Sequence, residues 1–223
     1  MPTALIIGAS RGIGREYARQ LKQDGWKVYA TARDTVSLEA LREEGIAALR
    51  LDVSKTESLA TLSWQLEDVK LDLAVYVAGV LGPQRDAKDP PTTADFDDVM
   101  HTNVLGAMQA TPLIAPLVEA ARGKFVFITS GMGSIAESEE SGPWWIYRVS
   151  KTALNMAVKS AAHDYPKATF VAMCPGWVQT DMGGPNATTS VDVCVADMRR
   201  VLDTLKQSDS GIYINHAGRH LPW

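Results

Sequence analysis

Short apolar runs alternate with amphipathic stretches along the whole chain, and this alternation constrains the fold more than any other feature. The runs expected as strands are Ala4–Gly8, Trp26–Ala32, Ile46–Leu51, Leu71–Ala78, Lys124–Thr129, Thr169–Cys174 and Gly211–Asn215. Several are apolar at nearly every position, the pattern of parallel strands covered by helices on both faces. Helices are expected between them over Ile13–Asp24, Val36–Glu44, Glu57–Asp68, Phe96–Ala121, Trp144–Asp164 and Val191–Lys206. Repeated strand–helix units with right-handed crossovers predict an α/β fold, a doubly wound and mostly parallel seven-stranded sheet flanked by helices.

Local chemistry marks some boundaries. Asp24-Gly25 suits a left-handed cap at the end of the first helix. Ser54 with Glu57 has the spacing of a capping box. Ser141, Gly142 and Pro143 punctuate the entry to the helix that starts near Trp144. Leu81–Thr93 and Gly131–Gly142 read as loops, the latter with an acidic stretch at Glu137–Glu140. No repeat or linker divides the chain, and its 223 residues fit one Rossmann-type domain over residues 1–223.

A hydrophobic share of 46% with 22% charged residues fits an ordinary globular protein. The net charge of −4 argues against a nucleic-acid partner, while leaving room for a local basic pocket. Cys174 and Cys194 have no metal-ligand spacing, so no metal is expected and both read as reduced thiols. The first apolar run stops at Gly8 without a basic segment before it, and no segment is expected to cross a membrane. The expected location is the cytoplasm.

Gly8-Ala9-Ser10-Arg11-Gly12-Ile13-Gly14 joins the first strand to the first helix. Gly8 permits a sharp turn, Gly12 lets backbone approach a pyrophosphate, and Gly14 permits close helix packing. The helix N-terminus, with N–H groups at Ser10, Arg11, Gly12 and Ile13, suits phosphate. The second strand ends at Ala32, where an NAD-specific site places a carboxylate. Arg33 and Arg11 can clamp a 2′-phosphate, so NADP(H) is preferred and NAD(H) is the alternative. Both arginines can equally be solvated surface groups, and Asp34 would reverse the preference if the register slipped. Asp52 and Val53 can contact adenine, or Asp52 can cap the next turn. Ala78 and Gly79 are small enough for a cofactor to lie against the backbone.

The fifth run delivers Ser130 to the carboxyl end of its strand, the sheet edge where ligands bind. Tyr147 and Lys151 stand at i and i+4 on one helical face. An ammonium beside a phenol is expected to lower the phenol pKa, and a tuned phenol exchanges a proton with an alcohol or carbonyl oxygen. Ser130 can hydrogen-bond the same oxygen. No Gly-x-Ser-x-Gly motif supports a hydrolase.

These motifs resemble the short-chain dehydrogenase/reductase family over nearly the whole chain. The glycine turn matches the family's, with Ile7 in place of its usual threonine. Ser130, Tyr147 and Lys151 match its catalytic serine, tyrosine and lysine. Asn103 matches the family's asparagine, which kinks the central helix and supports a water in a proton relay. Pro175-Gly176-Trp177-Val178-Gln179-Thr180 resembles the Pro-Gly turn beside the nicotinamide, implying cofactor contacts at Pro175, Gly176, Val178 and Thr180. The stretches Tyr147–Asn155 and Met182–Pro185 and the ending Leu221-Pro222-Trp223 are similar to the sniffer carbonyl reductase and C-factor branch of the family. That branch implies NADPH-linked carbonyl reduction, sometimes with a signalling role. Tyr76-Val77-Ala78-Gly79 departs from the family's Asn-Asn-Ala-Gly and puts the tie between neighbouring strands in doubt.

Met132, Trp144, Trp145, Trp177 and Met182 are expected around an open, apolar substrate pocket; core packing or a subunit contact is the alternative for each tryptophan. The expected partners are a small-molecule carbonyl or alcohol substrate and a second copy, as a homodimer through the two long helices. The expected function is NADPH-dependent carbonyl reduction or its reverse, with Tyr147 as general acid/base. The alternative is a cofactor-binding sensor of the C-factor type with little turnover.

Overall fold

Burial explains the strand composition. In the computed structural model, which describes residues 1–138 and 142–223, β1 (Thr3–Ile7), β4 (Leu73–Tyr76), β5 (Lys124–Ile128) and β6 (Thr169–Cys174) are buried almost throughout. β2 (Lys27–Ala32), β3 (Ala47–Arg50) and β7 (Ile212–Asn215) complete one sheet in the order β3-β2-β1-β4-β5-β6-β7. Every strand pairing is parallel, in line with the mostly parallel sheet expected; among the described residues antiparallel contact is confined to an isolated bridge between Ile214 and His220. The chain winds outward from β1 in one direction and from β4 in the other. Their carboxyl ends therefore flank the switch-point crevice where such sheets bind ligands.

Two apolar layers cover the sheet. On one face Tyr17, Ala18 and Leu21 of α1 (Gly12–Gln23) and Val195, Met198 and Leu202 of α8 (Val191–Thr204) pack on Ile6, Val126 and Val171. On the other, Ala110, Ile114 and Val118 of α6 (Gly106–Ala121) meet Phe125, Phe127 and Phe170, with the Phe125 and Phe127 rings 4.3 Å apart. Each Val, Leu, Ile, Met or Phe side chain among them contributes about 1.5–3 kcal/mol when fully buried. α7 (Trp145–Asp164) joins this second layer through Leu154 and Val158.

The helix ends divide into those the sequence states and those it hides. α1 closes as expected, with Gly25 at φ +80° and its N–H donating to Lys22 O at 3.1 Å. α2 (Thr35–Glu43) is capped by Asp34. The expected capping box at Ser54 does not form. α3 (Thr56–Ala60) starts at Lys55 without a side-chain cap, because Ser54 bonds Asp52 instead. The expected Glu57–Asp68 helix splits into α3 and α4 (Leu62–Gln65). Thr61 and Ser63 hydroxyls donate to Ser58 O and Ala60 O there, and such local bonds compete with the helical ladder.

The expected Phe96–Ala121 helix starts earlier, as α5 (Thr93–Met100), from a capping box between Thr92 and Asp95. It passes through a π-helical turn at His101–Leu105 before continuing as α6. Within the continuous stretch Thr93–Ala121, an 18-residue window of mean hydropathy 1.3 is long and apolar enough to cross a bilayer, which corrects the expectation that no segment is. Here its buried residues pack on the sheet. α7 is entered through Trp144 in the left-handed region at φ 72°. Of the segment expected to punctuate that entry, Ser141 lies outside the described residues, as do Glu139 and Glu140 of the acidic stretch.

Candidate active site

The glycine turn is fixed by close approach on three sides. Gly8 has φ +91°, and a Cβ there would stand 2.8 Å from Ala78 N at the end of β4. A Cβ on Gly14 would stand 2.1 Å from Gly8 O. From β2, Thr31 Oγ1 accepts from Gly8 N at 3.0 Å and Thr31 O accepts from Ala9 N at 2.7 Å. The first turn of α1 has no side-chain cap, so its N–H groups face an open cleft. A helix N-terminus of this kind binds phosphate.

Ala32 and Arg33 line that cleft, together with Leu51, Asp52 and Val53 from the end of β3. Asp34 does not: its carboxylate accepts from Ser37 N and Oγ at 2.8 Å each, which holds its pKa below the usual range. The guanidinium of Arg33 makes no hydrogen bond or ion pair among the described residues. Arg11 instead pairs with Asp181 at 2.8 Å across the mouth of the cleft. Asp52 Oδ1 accepts from Ser54 N and Oγ at 3.0 and 2.7 Å, so the turn-capping alternative is realised while the residue still borders the cleft.

β5 ends two residues before Ser130, which is extended and accepts at Oγ from Met132 N at 3.2 Å. Tyr147 is buried, and burial pushes its phenol up to about 12 against a smaller lowering by the Ser130 hydroxyl. This corrects the expectation that Lys151 depresses the phenol. Lys151 Nζ donates to Ile128 O at 2.9 Å and stands 5.5 Å from the Tyr147 ring centroid, over the ring. Desolvation of the buried ammonium pulls Lys151 down to about 8. A Cβ on Gly79 would lie 3.6 Å from that Nζ and 3.2 Å from Asn103 Oδ1, so glycine leaves this corner of the cleft open.

Asn103 is fully buried within the π-helical turn. Its Oδ1 accepts from Val80 N at 2.8 Å, and its Nδ2 donates to Val80 O at 2.9 Å and Ser150 Oγ at 3.0 Å. The side chain therefore fastens the loop after β4 to α7. The helix is distorted where the resemblance implied a kink. Tyr76 occupies the place of the family's asparagine and supplies a different tie. Its buried hydroxyl donates to Thr102 O at 3.1 Å, joining β4 to the same π turn.

The cleft wall brings together Gly8, Ser10, Arg11, Gly12, Ile13, Arg33, Asp52, Val53, Ala78, Gly79, Tyr147, Lys151, Pro175 and Thr180. Gly14, Asn103, Ser130, Gly176 and Val178 are not among the residues that line it; Val178 is buried and bridges Thr189. Of the expected substrate residues, Met182 lines the cleft. Met132, Trp144, Trp145 and Trp177 do not, and the Trp177 indole donates to Gly183 O at 2.8 Å on an exposed surface. Sequence reasoning missed Thr31, Thr102, Ile128, Thr129 and Asp181 in the wall. It also missed Cys174, whose buried sulfur accepts from Gly131 N at 3.0 Å and Gly176 N at 3.4 Å. For Asp181 the available signal was its place in the segment after Pro175-Gly176. No group of three or more His, Cys, Asp or Glu suited to a metal occurs among the described residues.

A helix N-terminus laid open by glycine at the switch point, with a buried Tyr–Lys pair at the adjoining strand end, defines a Rossmann-type oxidoreductase. The short chain dehydrogenase family profile matches residues 2–190, and the chain belongs to that family. It is 38% identical over 159 residues to the C-signal protein of Myxococcus xanthus, covering 69% of this chain and 93% of that protein. A short-chain dehydrogenase/reductase from Burkholderia multivorans, solved with bound NADP, superposes with TM-score 0.89 at 32% identity, covering 100% of this chain and 99% of the other. The carbonyl reductase Sniffer of D. melanogaster superposes with TM-score 0.90 at 25% identity over the full length of both.

Proposed function

We propose that the protein reduces a carbonyl compound to an alcohol, or runs the reverse oxidation, with NADP(H) preferred over NAD(H). The observation that carries this reading is the burial of Tyr147 and Lys151 together on the wall of the cleft that the glycine turn opens. A reduced nicotinamide dinucleotide held there by the glycine turn, Arg33 and Lys151 would supply the hydride for the carbonyl carbon. Tyr147 holds the proton. Its phenol, pushed up to about 12, stays protonated at neutral pH and can donate to the oxygen as it becomes an alkoxide. The Ser130 hydroxyl hydrogen-bonds and orients that oxygen. Lys151, charged below about pH 8, places a positive charge over the phenol ring and is the group to bind ribose hydroxyls. Asn103 is a positioning residue that holds Val80 and α7 together.

Glycine at positions 8 and 14 lets the turn pack against Ala78 N and Gly8 O, and the uncapped N-terminus of α1 beside it supports binding of a dinucleotide's phosphates. Arg33 and Arg11 at its mouth, Ala32 in place of a carboxylate, and an Asp34 occupied with its own helix support NADP(H). The NADP in the Burkholderia multivorans relative supports the same choice. Met182 on the cleft wall supports an apolar carbonyl substrate. The reading includes a homodimer through α6 and α7, whose Met108, Val149 and Met156 are exposed, and a cytoplasmic location suited to the two free cysteines.

The likeness to the C-signal protein favours a second reading, a cofactor-binding signalling protein with little turnover. An NADPH-oxidation screen over aldehydes, ketones and quinones separates the two. Turnover supports the reductase. Tight NADPH binding without turnover on any of the three classes contradicts it and supports the second reading.

A further inference from the structure

The reaction makes no use of the ending Leu221-Pro222-Trp223, yet the structure gives it a definite place. After β7 the chain reverses. Asn215 N donates to Arg219 O at 2.9 Å, and Asn215 Oδ1 accepts from Ala217 N and Arg219 N at 3.1 and 2.9 Å. The return strand runs back along β7, with Leu221 N donating to Tyr213 O at 2.8 Å. This path lays the tail on the loop that follows Ser130.

The contacts fall on that loop one after another. Ser134 Oγ donates to Pro222 O at 2.6 Å, Ile135 N donates to Trp223 O at 2.6 Å, and Arg219 pairs with Glu137 at 3.2 Å. From β7 the Tyr213 hydroxyl donates to the carbonyl oxygen of Ser130 itself at 2.5 Å. The Trp223 ring stacks on Tyr213 with centroids 5.2 Å apart and planes at 28°. The loop thus has two differently anchored halves. Gly133 O accepts from Thr152 and Asn155 of α7 at 3.0 and 3.2 Å, and Gly131 N donates to Cys174. Beyond Gly133, the bonds that leave the loop's own turn go to the tail, among the described residues.

We propose that Tyr213 and Trp223, with the backbone of Pro222 and Trp223, form a clamp that positions Ser130 against Tyr147. The proposal rests on the role given above to Ser130. The extended backbone of Ser130 sets its Cα–Cβ direction and the Met132 N–H donates to its Oγ, so its hydroxyl is positioned by whatever holds its carbonyl and the loop that carries Met132. Orientation of this kind acts on turnover more than on cofactor binding.

The test is a thermodynamic cycle. Tyr213→Phe, Trp223→Ala and Trp223→Phe are made in the full chain and again with Ser130→Ala. Carbonyl reduction gives kcat and KM, and NADPH titration gives Kd. With Ser130 present, Tyr213→Phe and Trp223→Ala lower kcat about 5- to 20-fold with NADPH Kd within about twofold, and Trp223→Phe, which keeps a stacking ring, recovers most of the loss. With Ser130→Ala, the same changes alter kcat by less than about twofold, because the group they aim is gone. Equal losses in both backgrounds, or no loss with Ser130 present, overturn the clamp. A second readout covers a Ser130→Ala protein that is too slow to measure or as fast as the parent. The latter result would refute the role of Ser130 above and leave the clamp to be judged here. Amide exchange at residues 131–135 with NADPH bound rises about tenfold or more in Trp223→Ala if the clamp exists. Unchanged exchange overturns it.

Discussion

Arg33→Ala is the sharpest probe of cofactor choice, because Arg33 and Arg11 border the same cleft in different electrostatic states. Arg33 has no partner among the described residues, so its guanidinium can meet a 2′-phosphate without first giving up a bond. A hydrogen bond to a charged group contributes about 1.5–3 kcal/mol, and the exposure of Arg33 points to the lower end. At about 1.4 kcal/mol per decade, Arg33→Ala should raise the NADPH Kd about 10- to 30-fold. Arg11 must share or leave Asp181, an exposed pair of the kind that contributes about 0.2–1 kcal/mol. Its loss should therefore cost less, about 3- to 10-fold. Asp181→Asn removes the competitor and should tighten NADPH up to about fivefold. NADH lacks the phosphate, so its Kd should stay within about twofold in all three variants. Calorimetric titration of both dinucleotides at low ionic strength reads this directly, since salt screens such contacts. Equal losses for NADH and NADPH in Arg33→Ala, or none for either, would refute the reasoning.

Asn103→Ala leaves Val80 N–H and Val80 C=O without their partner and removes the donor to Ser150 Oγ, which still donates to Tyr147 O, and should destabilise the fold by about 3 kcal/mol in urea unfolding. Loss below about 1 kcal/mol would mean that water replaces the amide. Gly14→Ala drives a Cβ against Gly8 O and should cost at least about 3 kcal/mol, with NADPH binding lost; a normal melting temperature would contradict the close approach. For carbonyl reduction, Tyr147 must be protonated and Lys151 charged. The phenol meets this up to about 12 and the ammonium up to about 8, so kcat/KM for reduction should fall as pH rises through about 8. A profile still flat at about pH 10 would remove Lys151 from the account.

Strand positions and the glycine turn were legible because local pattern and tertiary role agree there. Ala4–Gly8 is apolar since both faces are covered, and Gly8 and Gly14 are glycine since a Cβ would collide. The π turn at His101–Leu105 was hidden, because the apolar pattern of Phe96–Ala121 continues through it. The break at Thr61 arises from hydroxyl-to-carbonyl bonds that periodicity does not register. Trp145 and Trp177 misled as cleft residues because exposure depends on how loops fold back, which side-chain type does not encode. Asp181 and Cys174 acquire their partners only when the segment after β6 crosses to the glycine turn and the end of β6 meets the serine loop. The phenol's direction of shift was misjudged for a related reason. Sequence spacing gives the distance from Tyr147 to Lys151 along the helix, but not the burial that outweighs the charge.

The central claim is that Tyr147 is the proton donor of an NADPH-linked carbonyl reduction, and Tyr147→Phe tests it most directly. The variant keeps the ring and loses only the hydroxyl, so NADPH Kd should stay within about twofold while kcat on any carbonyl turned over by the parent falls on the order of 10²- to 10⁴-fold. Retained turnover in a folded, NADPH-binding Tyr147→Phe protein would contradict the account.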